Sequence, residues 1–436
     1  MFKPVVFTAI LIVSATSPPL LAKEEPETQP RILAQQSLPS AASEPALEVK
    51  KLAKAPDVKV KAVTSVQTDL RYHAYPSDTL FTKDDQRISD VRRARVDVTG
   101  EVGATYNGKF SVDFSSSTPL REAYINYKFF KPAQVLVGQF FAPFGNEAQG
   151  SSMAQEFIED SGAANANNSG VDRGIVLHGK LYNERFAYDT GFVNGAAENV
   201  ADNNNSMDFV LRTVIASPKD NYIKYWLGFS FNTGEQTAAA GDSIKYATET
   251  ASGTTLFKAT WPTGQTYTRT RYGFDVTTLL GPGMLKLEYL FADFDFTRSA
   301  ALSGGNLMGS YFLTGEQRAV KNSFFTSQSV ASPVNVETGE FGAIELAMRY
   351  SWFNADSEFF TTNGLFDGWG AVSASQYSDS GYALTAGLNW YLEQGVRVMF
   401  NWVNTFAAKA KTNTPDQGGK KTLIEQSYLV RFQLAL

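Results

Sequence analysis

The chain has 436 residues, a formal net charge of −5, no cysteine and 13% aromatic residues. Without cysteine there are no disulfides, thiolate metal sites, thiol nucleophiles or cysteine-linked lipid anchor. Beyond the N-terminal stretch no apolar run approaches the ~20 residues of a membrane-spanning helix, and nothing in the charge balance supports a nucleic-acid partner.

In chain order, residues 1–22 read as a secretory signal peptide. Lys3 precedes the apolar run VVFTAILIV, and a Ser/Pro-rich approach leads to Leu20-Leu21-Ala22. Residues 23–56 are rich in Pro, Ala, Glu, Gln and Ser without a sustained period, the composition of a disordered periplasmic extension. Residues 57–436 then alternate with a period of two. From 57 to 72, Lys59, Lys61, Ser65, Gln67, Asp69 and Arg71 interleave with Val58, Val60, Ala62, Val66 and Leu70. From Val91 to Ser115, Arg93, Arg95, Asp97, Thr99 and Glu101 alternate with apolar residues. Asn107-Gly108 is read as the tight turn, and Lys109, Ser111, Asp113 and Ser115 then continue the polar row against Phe110, Val112 and Phe114. Arms this long, with arginines set among valines, fit a membrane hairpin with one face to lipid and the other to an aqueous lumen.

Further strands are expected at 121–129, 134–141, 171–182, 184–194, 205–216, 221–232, 268–279, 284–298, 306–317, 341–353, 377–391, 395–408 and 421–436. With the first three this makes sixteen, an even number, as a single-chain bacterial barrel requires. Short connections alternate with the long ones at 142–170, 233–267, 354–376 and 409–420. Residues 318–340 are long in a short-turn phase, so either a strand pair lies there or the turn is unusual, and 252–262 reads as a further candidate strand. The expected fold is all-β: a sixteen-stranded antiparallel transmembrane β-barrel. Outward stripes such as Leu346, Met348, Tyr350 and Trp352 end in aromatics, as an interfacial girdle does. Ile424, Tyr428, Val430, Phe432, Leu434 and Leu436 close the chain on one apolar face.

Several segments resemble the phosphate-selective porin O/P family of Gram-negative outer membranes. They are Arg92-Arg93-Ala94-Arg95, GQFFAPFGNE from Gly138, FLTGEQR from Phe312, GAIELAMRYS from Gly342, GLNWYLEQGVRVMFNWV from Gly387, and the closing Arg431-Phe432-Gln433. The resemblance adds an inward-folded loop to the sixteen-stranded barrel and implies a homotrimer, a pore constricted by inward-folded segments, and anion selectivity carried by an arginine ladder, to which Arg93 and Arg95 correspond. It also implies that the odd segment 318–340 folds back into the barrel.

Permeation needs a water-filled path, a constriction and a field rather than a catalytic group, cofactor or metal. Polar-face parity assigns Arg93, Arg95, Lys59, Lys61, Lys109, Lys128, Arg349 and Arg397 to the pore lining, whereas Arg92 has rim or subunit-contact parity. Arg93 and Arg95 lie about seven ångström apart along one face, close enough to hand an anion from one guanidinium to the next. The loop 142–170 carries Glu147, Glu156, Glu159 and Asp160, expected to face the cations across the constriction. Wall-bracing ion pairs are the competing reading for every lumen arginine. The two histidines, His73 and His178, read as rim or lumen residues, so no enzyme is expected. The function read from the chain is an outer-membrane porin for passive diffusion of small anions, with phosphate or polyphosphate as candidate solutes. A general porin with little ion preference and a structural or adhesive barrel are the alternatives. Expected partners are small anionic solutes such as phosphate, outer-membrane lipid and lipopolysaccharide, the barrel-assembly machinery, and two further copies of the chain.

Overall fold

The computed structural model describes residues 57–76, 83–200, 204–251, 253–321, 323–360, 372, 376–408 and 421–436. The expected signal peptide, the extension 23–56 and the connection 409–420 lie outside the described residues.

The strands are β1 (Val58–Ala74), β2 (Gln86–Val102), β3 (Tyr106–Asp113), β4 (Leu120–Phe130), β5 (Ala133–Phe141), β6 (Val171–Leu181), β7 (Phe186–Val193), β8 (Asp208–Ala216), β9 (Ile223–Thr237), β10 (Ser243–Ala247) and β11 (Thr255–Thr260). There follow β12 (Thr266–Leu280), β13 (Gly283–Asp295), β14 (Ser299–Phe312), β15 (Val320–Lys321), β16 (Phe324–Phe325), β17 (Ala343–Ala355), β18 (Ser380–Glu393), β19 (Val396–Ala407) and β20 (Thr422–Ala435). Sixteen of them form one closed antiparallel barrel, sealed where β1 pairs with β20 from Ser65↔Ala435 to Ala74↔Gln426. β10–β11 and β15–β16 are hairpins off the wall. Closure leaves no sheet edge, the condition for strands to cross a hydrocarbon layer. Outward positions are exposed and apolar, for example Met348 at 70% and Ile125 at 65%, while inward positions are covered and mix polar with apolar residues, as Arg397 and Asn401 alternate with Met399 and Val403.

The hairpin β2–β3 turns elsewhere than at Asn107-Gly108. Val102 pairs with Tyr106, so the loop is Gly103-Ala104-Thr105, with Gly103 at φ +58°, and Asn107 and Gly108 lie inside β3. Directly opposed residues share a face. A two-residue turn at Asn107-Gly108 would have set the Glu101 row opposite Phe110 and Phe114. The three-residue loop instead puts Arg95 opposite Asp113 and Asp97 opposite Ser111.

The expected strand 306–317 is in fact Ser299–Phe312, because β13 and β14 are joined by only three residues on the long-loop end of the barrel. Segment 252–262 does hold a strand, β11, but it pairs with β10 above the wall. Residues 318–340 contain the hairpin β15–β16 and enter the lumen: Arg318 Nε donates to Glu156 at 2.9 Å, and Asn146 Nδ2 donates to the Ser323 carbonyl at 3.2 Å.

The wall register shifts at five places, and three of these β-bulges re-aim side chains that bear on the lumen. Gln67 pairs with Arg93 and Thr68 with Val91, so Arg92 is an extra residue in β2. Ser111 pairs with Glu122 and Val112 with Leu120, so Arg121 is an extra residue in β4. Thr405 pairs with Glu425 and Phe406 with Leu423, which makes Ile424 extra in β20. An extra residue breaks strict alternation and turns two successive side chains the same way. Ile424 is accordingly buried inside with Glu425 rather than on the outer stripe.

Candidate functional site

The loop joining β5 to β6, residues 142–170, folds into the lumen. Its irregular backbone has few internal partners, and a buried carbonyl or N–H without a partner costs about 1–3 kcal/mol. Wall side chains supply those partners. Gln67 Nε2 donates to the Ser152 carbonyl at 3.0 Å, Gln433 Nε2 to Met153 at 2.9 Å and Arg397 Nη1 to Gln155 at 2.7 Å. Asn389 Nδ2 donates to the Glu156 carbonyl at 2.9 Å, and Asn401 Oδ1 accepts from the Ile158 N–H at 2.7 Å. This is why so many inward positions of β1, β18, β19 and β20 are Asn, Gln and Arg.

The loop's acids are matched in the same way. Glu147 accepts from Arg349 Nη1 at 2.9 Å, and Glu156 from Arg318. Glu159 accepts from both Arg92 Nε and Arg431 Nη2, at 2.9 and 2.8 Å, and lies 3.7 Å from Arg93. Asp160 accepts from the Gln155 amide. The helix α1 (Gly162–Asn167) follows, capped by Ser161, whose hydroxyl accepts from the Ala164 N–H at 3.2 Å. A Cβ on Gly162 would meet the Tyr246 ring at 2.4 Å, so only glycine lets α1 approach the β10–β11 hairpin this closely.

That hairpin dips inward too. Glu249 at its tip accepts from Arg349 Nη2 at 2.7 Å and from the Gly162 N–H at 3.1 Å, while Glu425 of the wall accepts from the Thr254 N–H at 2.9 Å. Tyr246, Leu256, Phe257 and Trp261 of this connection form an apolar cluster with Phe294, Leu302, Phe353 and Phe359. Part of the lumen cross-section is thereby filled as a packed core.

Open space remains beside β2, β3 and β4. A cavity of about 530 Å³ lies between this wall and the loop segment 148–155, and Arg93, Arg95, Lys109 and Arg121 line it together with Asp97, Glu122, Asp160 and Glu198. Arg95 is paired with Asp113 at 2.7 Å and donates to the Ser152 hydroxyl at 3.0 Å. Lys109 contacts Glu122 and lies 3.4 Å from Asp97. Arg121 packs over the Phe141 ring at 5.2 Å and has no carboxylate at ion-pair distance among the described residues. The Gln139 amide donates to the carbonyls of Leu120 and Arg121 at 3.1 and 3.0 Å, which holds the bulge in shape. Toward the short-turn end a second cavity, about 750 Å³, is lined by Lys180, Arg185, Lys219, Lys224, Arg318 and Lys321 with Glu184.

The predicted site residues therefore separate. Arg93, Arg95 and Lys109 border the open cavity. Arg349 and Arg397 do not: both are buried struts, Arg349 between Glu147 and Glu249 and Arg397 against Gln155 and Gln433. Lys59 and Lys61 lie on the part of β1 that extends past the seam with β20, Lys59 3.8 Å from Asp57. Lys128 sits 3.6 Å from Glu101 near the short turns. Of the acids, Glu147, Glu156 and Glu159 are buried in ion pairs and Asp160 borders the cavity. Arg92, assigned by parity to a rim, is turned into the lumen by its bulge and reaches Glu159. Arg121 was missed because its odd neighbours in the strand face lipid. His73 is buried against Ser427 at 2.7 Å, and His178 is 2.9 Å from Asn126.

The sequence profile of the family described as phosphate-selective porin O and P matches residues 64–435. Among solved structures, the in-vitro folded outer-membrane protein OmpT of Vibrio cholerae is similar at 10% identity over 88% of this chain and 100% of its own, with a TM-score of 0.51. The outer-membrane channel DcaP of Acinetobacter baumannii is similar at 12% identity over 87% of this chain and 97% of its own, with a TM-score of 0.52. At these identities the likeness is one of fold. No curated protein matches the chain. With a family match running from the first closed strand to the last, and a barrel whose lumen is narrowed from both ends, the chain belongs to the phosphate-selective porin O and P family and is a porin of the Gram-negative outer membrane.

Proposed function

We propose that the barrel is a water-filled diffusion channel that favours small anions. The observation that carries this is Arg121, a guanidinium on the cavity wall beside Arg93 and Arg95 with no carboxylate partner among the described residues. The lysine-rich cavity toward the short turns supports the same sign of field. Neighbouring guanidinium forks suit a tetrahedral oxyanion, so phosphate is a candidate solute. The preference is graded, because four cations and four carboxylates share the lining. That balance favours the second reading, a general porin with little ion preference.

Reversal potentials of the purified channel in a salt gradient decide between them. Near a charge in water an anion gains about 1 kcal/mol at 4 Å, roughly fivefold in population. Arg121→Ala is therefore expected to lower the anion-to-cation permeability ratio by up to that factor, and an unchanged ratio would leave the general porin. Phosphate specificity has a separate readout: added phosphate should block chloride current at submillimolar concentration. The trimer forms part of the proposal. A Vibrio cholerae OmpT structure described as a trimer form, similar at 12% identity with a TM-score of 0.50, supports it, and the native mass of the detergent complex checks it.

A further inference from the structure

Four carboxylates enter the lumen on the loop between β5 and β6, and their surroundings differ. Glu147, Glu156 and Glu159 each have a guanidinium at hydrogen-bond distance, from Arg349, Arg318 and Arg431 respectively. Asp160 has only the Gln155 amide, with no cation at ion-pair distance among the described residues. It borders the same cavity as Arg95 and Arg121, but from the loop, whereas they approach from the wall. Glu198, on the connection after β7, is the other loop carboxylate of a lining that also holds Asp97 and Glu122 on the wall, and it accepts from the Thr118 hydroxyl at 3.1 Å.

An unmatched guanidinium and an unmatched carboxylate across one water-filled space are two poles of a local field. A solute with only an oxyanion is drawn to one pole and repelled by the other. A solute that also carries an ammonium group meets both favourably. We propose that the solutes this channel passes best are amphoteric, with one oxyanion and one ammonium on a short skeleton, as in aminoalkyl phosphates or amino acids, and that Asp160 receives the ammonium. The inference rests on the anion-favouring reading above, since Arg95 and Arg121 receive the oxyanion.

Burial and the neighbouring Glu147 and Glu159 carboxylates push the Asp160 carboxyl up to about 7, against Arg93 of β2 and Arg349 of β17, which favour its charged form. The test is therefore run at pH 8, where Asp160 is charged. Full-length protein in liposomes is assayed for influx of labelled 2-aminoethyl phosphate, ethyl phosphate and glycerol. The aminated phosphate is expected to enter about threefold faster than ethyl phosphate. Asp160→Asn should bring that ratio to one or below while raising ethyl phosphate influx, and Asp160→Glu should keep it. A ratio at or below one in the unaltered protein overturns the inference whatever the variants do, and so does a ratio that Asp160→Asn leaves unchanged. If ethyl phosphate enters no faster than glycerol, the anion-favouring reading itself falls. If it outruns glycerol but the amine confers no advantage, only the amphoteric inference falls.

Discussion

At the scale of single residues, the lumen charges divide by what they touch rather than by what they are. Arg431 is fully buried, with Nε and Nη2 on the two oxygens of Asp69 at 2.7 and 2.8 Å and Nη2 also on Glu159. Arg121, of the same chemistry, stands at the cavity over the Phe141 ring, with no carboxylate at ion-pair distance among the described residues. Removing one partner of a buried ion pair leaves a charge in low dielectric, at a cost of about 3–5 kcal/mol. Arg431→Met is therefore expected to lower the melting temperature of the detergent-solubilised barrel and to open residues 151–160 to protease, with a smaller effect on selectivity than Arg121→Ala. Equal melting curves for variant and parent would remove the strut assignment. Arg93 and Arg95 were legible from parity because they sit in regular register. Arg349 and Arg397 were placed inside on the same grounds, but parity cannot tell a residue that faces water from one that faces an inserted loop.

At the scale of elements, hairpins and bulges decide which side chains reach the lumen. The β2–β3 alternation already contained the loop length, since only an odd number of loop residues keeps Arg95 and Asp113 on one face, and the Asn-Gly dipeptide outweighed that evidence. A Cβ on Gly103 meets nothing within 4 Å, so a substitution there is resisted by its positive φ alone. Gly103→Val should cost about 1–2 kcal/mol. Asn107→Thr, which falls inside a strand, should be neutral or slightly stabilising. Denaturant midpoints of the two variants distinguish the assignments, and the reverse ranking would restore the turn at Asn107-Gly108. The bulges at Arg92, Arg121 and Ile424 had no such signature. Each depends on how the neighbouring strand resumes its register, which is a property of the pair.

At the scale of the whole molecule, a closed wall of sixteen strands is narrowed by three insertions: the loop after β5, the tip of the connection bearing β10 and β11, and the segment bearing β15 and β16. Selectivity that arises from fixed charges around a water-filled cavity is screened by salt, with a Debye length of about 10 Å at 0.1 M and about 3 Å at 1 M. The anion preference measured at 0.1 M salt is accordingly expected to shrink toward unity at 1 M. A preference that persists at high salt would point instead to direct coordination of the ion. Strand number and, away from the bulges, the lipid and lumen faces were determined by the sequence alone, because alternation is local and survives into the barrel wherever the register is regular. The family and its outer-membrane setting were legible in recurring segments such as GQFFAPFGNE rather than in the alternation. The lane through the lumen was decided only by tertiary structure. Which arginine meets water and which meets Glu147, Glu156 or Glu159 depends on where an irregular loop finds partners for its backbone, and those partners lie on strands up to 280 residues away along the chain.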